Sequence, residues 1–235
     1  MRKRLVFQQL PKNLDRRQTL FLDGIRFSVE IAETAYGRLC KTLLTLVNSV
    51  IQKKKVRIDD LTVRAISDAW SIIDSVHRLC GLLSQMRGVK QNTPNLNLLY
   101  RQAEKVEALR NTVQHLNNEI DNLISKKLPV WGTLNWVARP NPTNDLWYTC
   151  SLSPGTVFAR QIPIINPVGK EPRPPIDMIE LNAIESVNLS TIIEKVDTVI
   201  SSIEKQIEKQ IKGQTQAGAD IFLLLVLAPD DQTEK

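Results

Sequence analysis

A chain of 235 residues is one large domain or two small ones, long enough to bury most of its apolar surface on folding. Hydrophobic residues at 42% and charged residues at 24% are ordinary for a globular chain in water, and aromatic residues at 5% are too few for a fold built mainly of sheet, so helix should dominate. The formal charge of +6 favours polyanionic partners such as RNA, DNA or an acidic protein through long-range attraction, while three scattered cysteines exclude a disulfide framework.

Cys40, Cys80 and Cys150 form no Cys-x-x-Cys pair, so they read as small core residues in a reducing cytoplasm. The basic start Met1-Arg2-Lys3-Arg4 meets Gln8, Gln9, Pro11 and Lys12, which interrupt any apolar stretch that could serve as a signal peptide. The longest apolar run, 221–228, falls far short of the roughly 20 residues a membrane helix needs, so no span is expected.

The spacing predicts a first helix over 17–51, with Ile25, Val29, Ala32, Tyr36, Leu39, Leu43, Leu46 and Val50 on one face. It runs into Lys53, Lys54, Lys55 and Arg57, a basic connection that either contacts phosphate or is simply solvated. Asp59 and Asp60 suit the first turn of a second helix, where carboxylates meet free N–H groups and the positive end of the dipole. That helix carries Leu61, Ile66, Ala69, Ile73, Val76, Cys80 and Leu83 and should stop near Gly88. His77 and Cys80 lie three apart on it, half of a zinc set with no second pair to complete it, so no metal is expected. Thr93-Pro94 marks the next start, proline being tolerated in a first turn where its missing N–H has no intrahelical partner.

A third, long helix over 95–127 follows, its seam formed by Leu99, Val106, Leu109, Val113, Leu116, Ile120 and Leu123. After Lys127 prolines crowd the chain and exclude helix from most of it. Short segments at 131–138, 146–152, 156–165 and 176–187 read as strands of a small antiparallel sheet. Asn188 or Ser190 then caps a further helix, with Ile192, Val196, Val199, Ile203, Ile207 and Ile211 inside and Glu194, Lys195, Glu204, Lys205, Glu208 and Lys209 outside. Residues 213–218 read as a flexible joint before a final apolar strand. The expected class is α+β, mainly α: a bundle of about four long helices with a small antiparallel sheet inserted before the last, divided into a helical bundle over 1–128 that holds the Arg110 to His115 cluster, a proline-rich antiparallel β region over 129–187, and a C-terminal helix and final apolar strand over 188–235 packing on the other two.

Reactive residue types cluster at one place, Arg110-Asn111-Thr112-Val113-Gln114-His115, in the middle of the third helix. Asn111, His115, Asn118 and Asn122 form an amide and imidazole stripe away from the seam, and Arg110 lies about 140° round from His115. The two can act together on a ligand that bridges the helix flank, or where a second subunit supplies half of the site. Arg101, Lys105, Lys126 and Lys127 are candidate RNA-binding residues on the same helix.

Arginine, a polar residue and a histidine at this spacing within a helical bundle resemble the signature of HEPN domains, in which arginine is followed by four to six residues and histidine, often with asparagine directly after the arginine. Arg110, Asn111 and His115 match position for position, and Asn117 stands where some members carry tyrosine. The resemblance covers the helical part of the chain. It implies a metal-independent ribonuclease without a cofactor, usually a homodimer whose two motifs face one cleft, and often a member of a bacterial toxin–antitoxin or phage-defence system with an antitoxin as protein partner.

The chemistry is sound on its own terms. Cleaving RNA without a metal needs a base to take the 2′-hydroxyl proton, and imidazole, with an ordinary pKa of about 6.5, is the side chain best matched to neutral pH. His115 would be that base. Arg110 would hold the charge gathering on the phosphate through its fork of N–H groups, with Asn111 orienting one or the other. Phosphate-loop, dinucleotide, nucleophile-elbow and His-Glu-x-x-His motifs are all absent from the sequence. The alternative is a non-catalytic helical interaction or adaptor protein, in which the same stripe is an interface.

Overall fold

Asp15 starts the first helix, α1 (Arg16–Ile51): its carboxylate accepts the Gln18 N–H at 2.7 Å, while the Gln18 side chain accepts the Asp15 N–H at 3.2 Å. Its end is set by Lys53 in the left-handed region (φ 50°), with the Lys54 N–H returning to the Ser49 carbonyl at 3.0 Å. The computed structural model describes residues 7, 9–11, 14–86, 91–141, 143, 146–155, 172–210 and 215–217. After a six-residue connection, 52–57, α2 (Ile58–Gln85) folds back along α1 as an antiparallel hairpin, tied by Arg38 Nη2 to Asp68 Oδ1 at 2.7 Å. Asp59 and Asp60 occupy its first turn as expected. Its end at Gln85 comes three residues before Gly88.

Thr93 caps α3 (Pro94–Gln114) by accepting the Leu96 N–H, with Pro94 at the first position. The continuous helix expected over 95–127 is in fact two, because the backbone leaves helical geometry at His115 (φ −109°, ψ 33°) and α4 (Leu116–Lys126) begins after it. The physical reason lies in the local sequence. Asn111, Thr112, Val113, His115, Asn117 and Asn118 are all weak helix formers, and the Thr112 hydroxyl bonds back to the Ala108 carbonyl at 3.0 Å, a contact that bends helices. The seam consequently holds only in part: Leu99, Val106, Leu109 and Leu123 are buried, but Ile120 is exposed.

A four-stranded antiparallel sheet follows, in the order β3 (Tyr148–Leu152), β2 (Thr133–Ala138), β4 (Ile176–Asn182), β5 (Ser186–Asn188). Trp131 and Leu146 precede their strands rather than belonging to them, and the segment expected as one strand over 176–187 is a hairpin of two. β2 is buried along its whole length, with Leu134, Trp136 and Ala138 in the same hydrophobic cluster as the helices. A bulge interrupts β4: two residues lie between Asp177 and Glu180 where one lies between Val137 and Asn135, and Met178 takes φ 54°. The Ile179 N–H thereby reaches the Ser190 hydroxyl at 3.0 Å, which also accepts the Tyr36 hydroxyl of α1 at 2.9 Å.

Asn188 caps α5 (Leu189–Gln210) through its side-chain oxygen and the Thr191 N–H at 2.8 Å. Ile192, Val196, Val199 and Ile203 are buried as expected, but Glu204, expected outside, is buried too, and Val50 of α1, expected inside, is 73% exposed. The part of 213–218 read as a joint contains a strand, β6 (Thr215–Ala217), antiparallel to β1 (Gln9–Pro11). The strands expected at 156–165 and 221–228, and Ile211, lie outside the described residues. The fold is α+β and mainly α, with five helices among the described residues, and one hydrophobic cluster drawing on all three stretches distinguished in the sequence. Among the described residues no helix is long and apolar enough to cross a membrane.

Candidate functional site

Arg110 lies on the face of α3 turned toward α2, where its Nε donates to Asp74 Oδ1 at 3.1 Å. The Arg110 side chain is 25% exposed and that of Asp74 47%. This bond uses one of five N–H donors and orients the fork, leaving the four terminal N–H groups for other acceptors. Trp70 stands one turn before Asp74, about 6 Å along α2, and its indole N–H donates to the Trp131 carbonyl at 3.2 Å. The two indoles meet edge to face, centroids 6.4 Å apart at 74°. Trp131 is 45% exposed. It is held by Gly132, whose φ of 75° and 2.7 Å approach of an added Cβ to the Asn182 carbonyl admit no other residue without strain. His77, one turn beyond Asp74, completes a row on this face of α2.

Asn111 and His115 are both exposed. His115 closes α3 by donating its N–H to the Asn111 carbonyl at 3.0 Å, and opens α4 by accepting the Asn118 N–H at 2.8 Å through its own carbonyl. Its imidazole takes no part in capping. The five-residue step from Arg110 turns His115 about 140° away on the same helix, so the two side chains diverge within one chain. Asn118 is exposed, but Asn122 is half-buried and its amide donates to Glu119 at 2.9 Å, which shortens the stripe.

Arg101 and Lys105 are exposed on α3; nine residues from Arg101 to Arg110 amount to about half a turn of rotation and 13 Å of rise, and five from Lys105 to about 140° and 8 Å, so neither shares its face. Lys126 and Lys127 end α4, about 16 Å beyond His115 along the axis, with Lys127 itself left-handed (φ 56°). The four basic residues therefore stand apart from Arg110 rather than around it. Asp74, Trp70 and Trp131 were not among the residues singled out in the sequence. A helical row of Trp70, Asp74 and His77 was visible there, but its pairing with Arg110 and Trp131 is tertiary.

Other reactive groups are quiet. Burial pushes the thiols of Cys40 and Cys150 up to about 11 and that of Cys80 up to about 12. Among the described residues no three His, Cys, Asp or Glu side chains group as a metal site. Lys53, Lys54, Lys55 and Arg57 are exposed on the α1–α2 connection, with Arg57 paired to Asp60 at 3.0 Å. No family model matches the chain, and neither the curated proteins nor the solved structures give a match.

Proposed function

We propose that the helical part is a HEPN-like, metal-independent RNA endonuclease whose site forms where two copies of the chain face one another across α3 and its break at His115. The observation that carries this reading is the state of Arg110: oriented through Nε by Asp74, it keeps its terminal N–H groups for an anion, five residues before an exposed histidine. Because Arg110 and His115 diverge on one chain, each cleft takes the arginine of one copy and the histidine of the other. His115 removes the 2′-hydroxyl proton, the 2′-oxygen bonds to phosphorus, and the bond from phosphorus to the 5′-oxygen breaks as that oxygen takes a proton from water, giving a 2′,3′-cyclic phosphate and a 5′-hydroxyl, after which His115 gives its proton back to solvent. Arg110 holds the non-bridging oxygens as charge gathers on them, and Asn111 positions the phosphate. An antitoxin protein covering this exposed face would silence it.

Incubation of a mixed RNA pool in excess chelator tests the proposal. Wild type should leave cyclic phosphate ends, and Arg110→Ala and His115→Ala should each lose activity by about 10²-fold or more. No cleavage, or equal cleavage by the variants, overturns it. The second reading, a non-catalytic interaction protein, is favoured by the use of Arg110 to tie α3 to α2 through Asp74, which needs no substrate.

A further inference from the structure

Between the C-terminal end of α1 and the helix-facing side of β3 lies a groove of about 620 Å³. That volume falls in the range of about 300–1,000 Å³ typical of small-molecule sites. Its walls are apolar: Leu46, Val47 and Val50 on α1 face Cys150 and Leu152 on β3. Trp136 of β2, only 3% exposed, lines the groove as well. Lys53 and Lys54, both exposed, stand at the mouth. Apolar walls with two cations above do not suit a neutral hydrocarbon or a free inorganic anion. They suit an amphiphile with an anionic head.

We propose that this groove binds a long-chain fatty carboxylate, its head paired with Lys53 and Lys54 and its chain laid between α1 and β3 over Trp136. The site is independent of Arg110 and His115, which lie on other elements. Lys53 is presented by its left-handed backbone at the end of α1 (φ 50°), so the same turn that stops the helix sets the charge at the mouth. The basic connection, a solvated loop or a phosphate contact in the sequence, thus gains a third role as the rim of a lipid site.

Calorimetric titration of the full chain with octanoate, decanoate and laurate, each below its micelle concentration, tests this. One saturable site is expected, tightening by up to about fourfold per added methylene. Dodecanol should bind at least about tenfold more weakly than laurate, and Lys53→Glu/Lys54→Glu should weaken laurate by a similar factor. Val50→Glu, at a position 73% exposed where the fold tolerates a carboxylate, should abolish binding with unchanged far-ultraviolet circular dichroism. Absence of saturable binding at any chain length, equal affinity for laurate and dodecanol, or laurate binding unaffected by Val50→Glu would each overturn the proposal.

Discussion

Arg110 and Asp74 meet across the α2–α3 interface through a single hydrogen bond, Nε to Oδ1 at 3.1 Å, with the cation the more buried partner. A pair built this way holds a guanidinium in place without sequestering it. Asp74→Ala should therefore cost little stability, no more than about 1 kcal/mol for so exposed a pair, which is a fall in Tm of less than about 4 °C for a chain of this size. Calorimetry checks the stability. If Asp74 orients Arg110 for phosphate, RNA cleavage should fall by far more than that loss of stability accounts for.

Trp131 depends on Gly132. Alanine there must adopt φ 75° and bring its Cβ to 2.7 Å from the Asn182 carbonyl, so Gly132→Ala should destabilise by about 1–3 kcal/mol, read as a lower urea midpoint. A neutral effect would show that the turn into β2 relaxes.

Asp177 supplies the pH dependence. Burial alone pushes its carboxyl up, but hydrogen bonds from the Arg173 backbone and guanidinium outweigh this and hold it below the ordinary range. A depressed native pKa contributes stability that is fully present above the unfolded value of about 3.9 and is lost as pH falls through the native one. The stability difference between wild type and Asp177→Asn should then shrink as pH drops below about 4, measured by urea unfolding at successive pH values. A constant difference would contradict the role of this pair.

The three thiols should be slow nucleophiles. With Cys40 and Cys150 pushed up to about 11, roughly one in a thousand is thiolate at pH 8, against about a quarter at an ordinary pKa of 8.5. Native protein should react with a disulfide reagent at least about 100-fold more slowly than unfolded protein.

Much of the fold was legible because the signals were local. Thr93-Pro94, Asp59 and Asn188 act within one turn of themselves, and the buried positions of α1, α2 and α5 follow a single period. Failures came where several weak preferences combined or where distant residues decided the outcome. No single residue between Asn111 and Asn118 breaks a helix; together with the Thr112 back-bond they do. The pairing of β1 with β6 joins residues about 206 apart in sequence, beyond the reach of any local pattern. At the candidate site the motif Arg110-Asn111-His115 could be read directly, but its partner Asp74 could not, because carboxylates on helices are common and only packing selects one.

Cleavage of an RNA pool in excess chelator by co-assembled Arg110→Ala and His115→Ala chains tests the shared cleft most directly. Each variant alone should be inactive. In the mixed population half of the dimers are hybrids, and each hybrid carries one intact cleft of two, so recovery of about a quarter of wild-type activity is expected. Wild-type-like cleavage by either variant alone, or no recovery in the mixture, would contradict an arginine and histidine site shared between two copies.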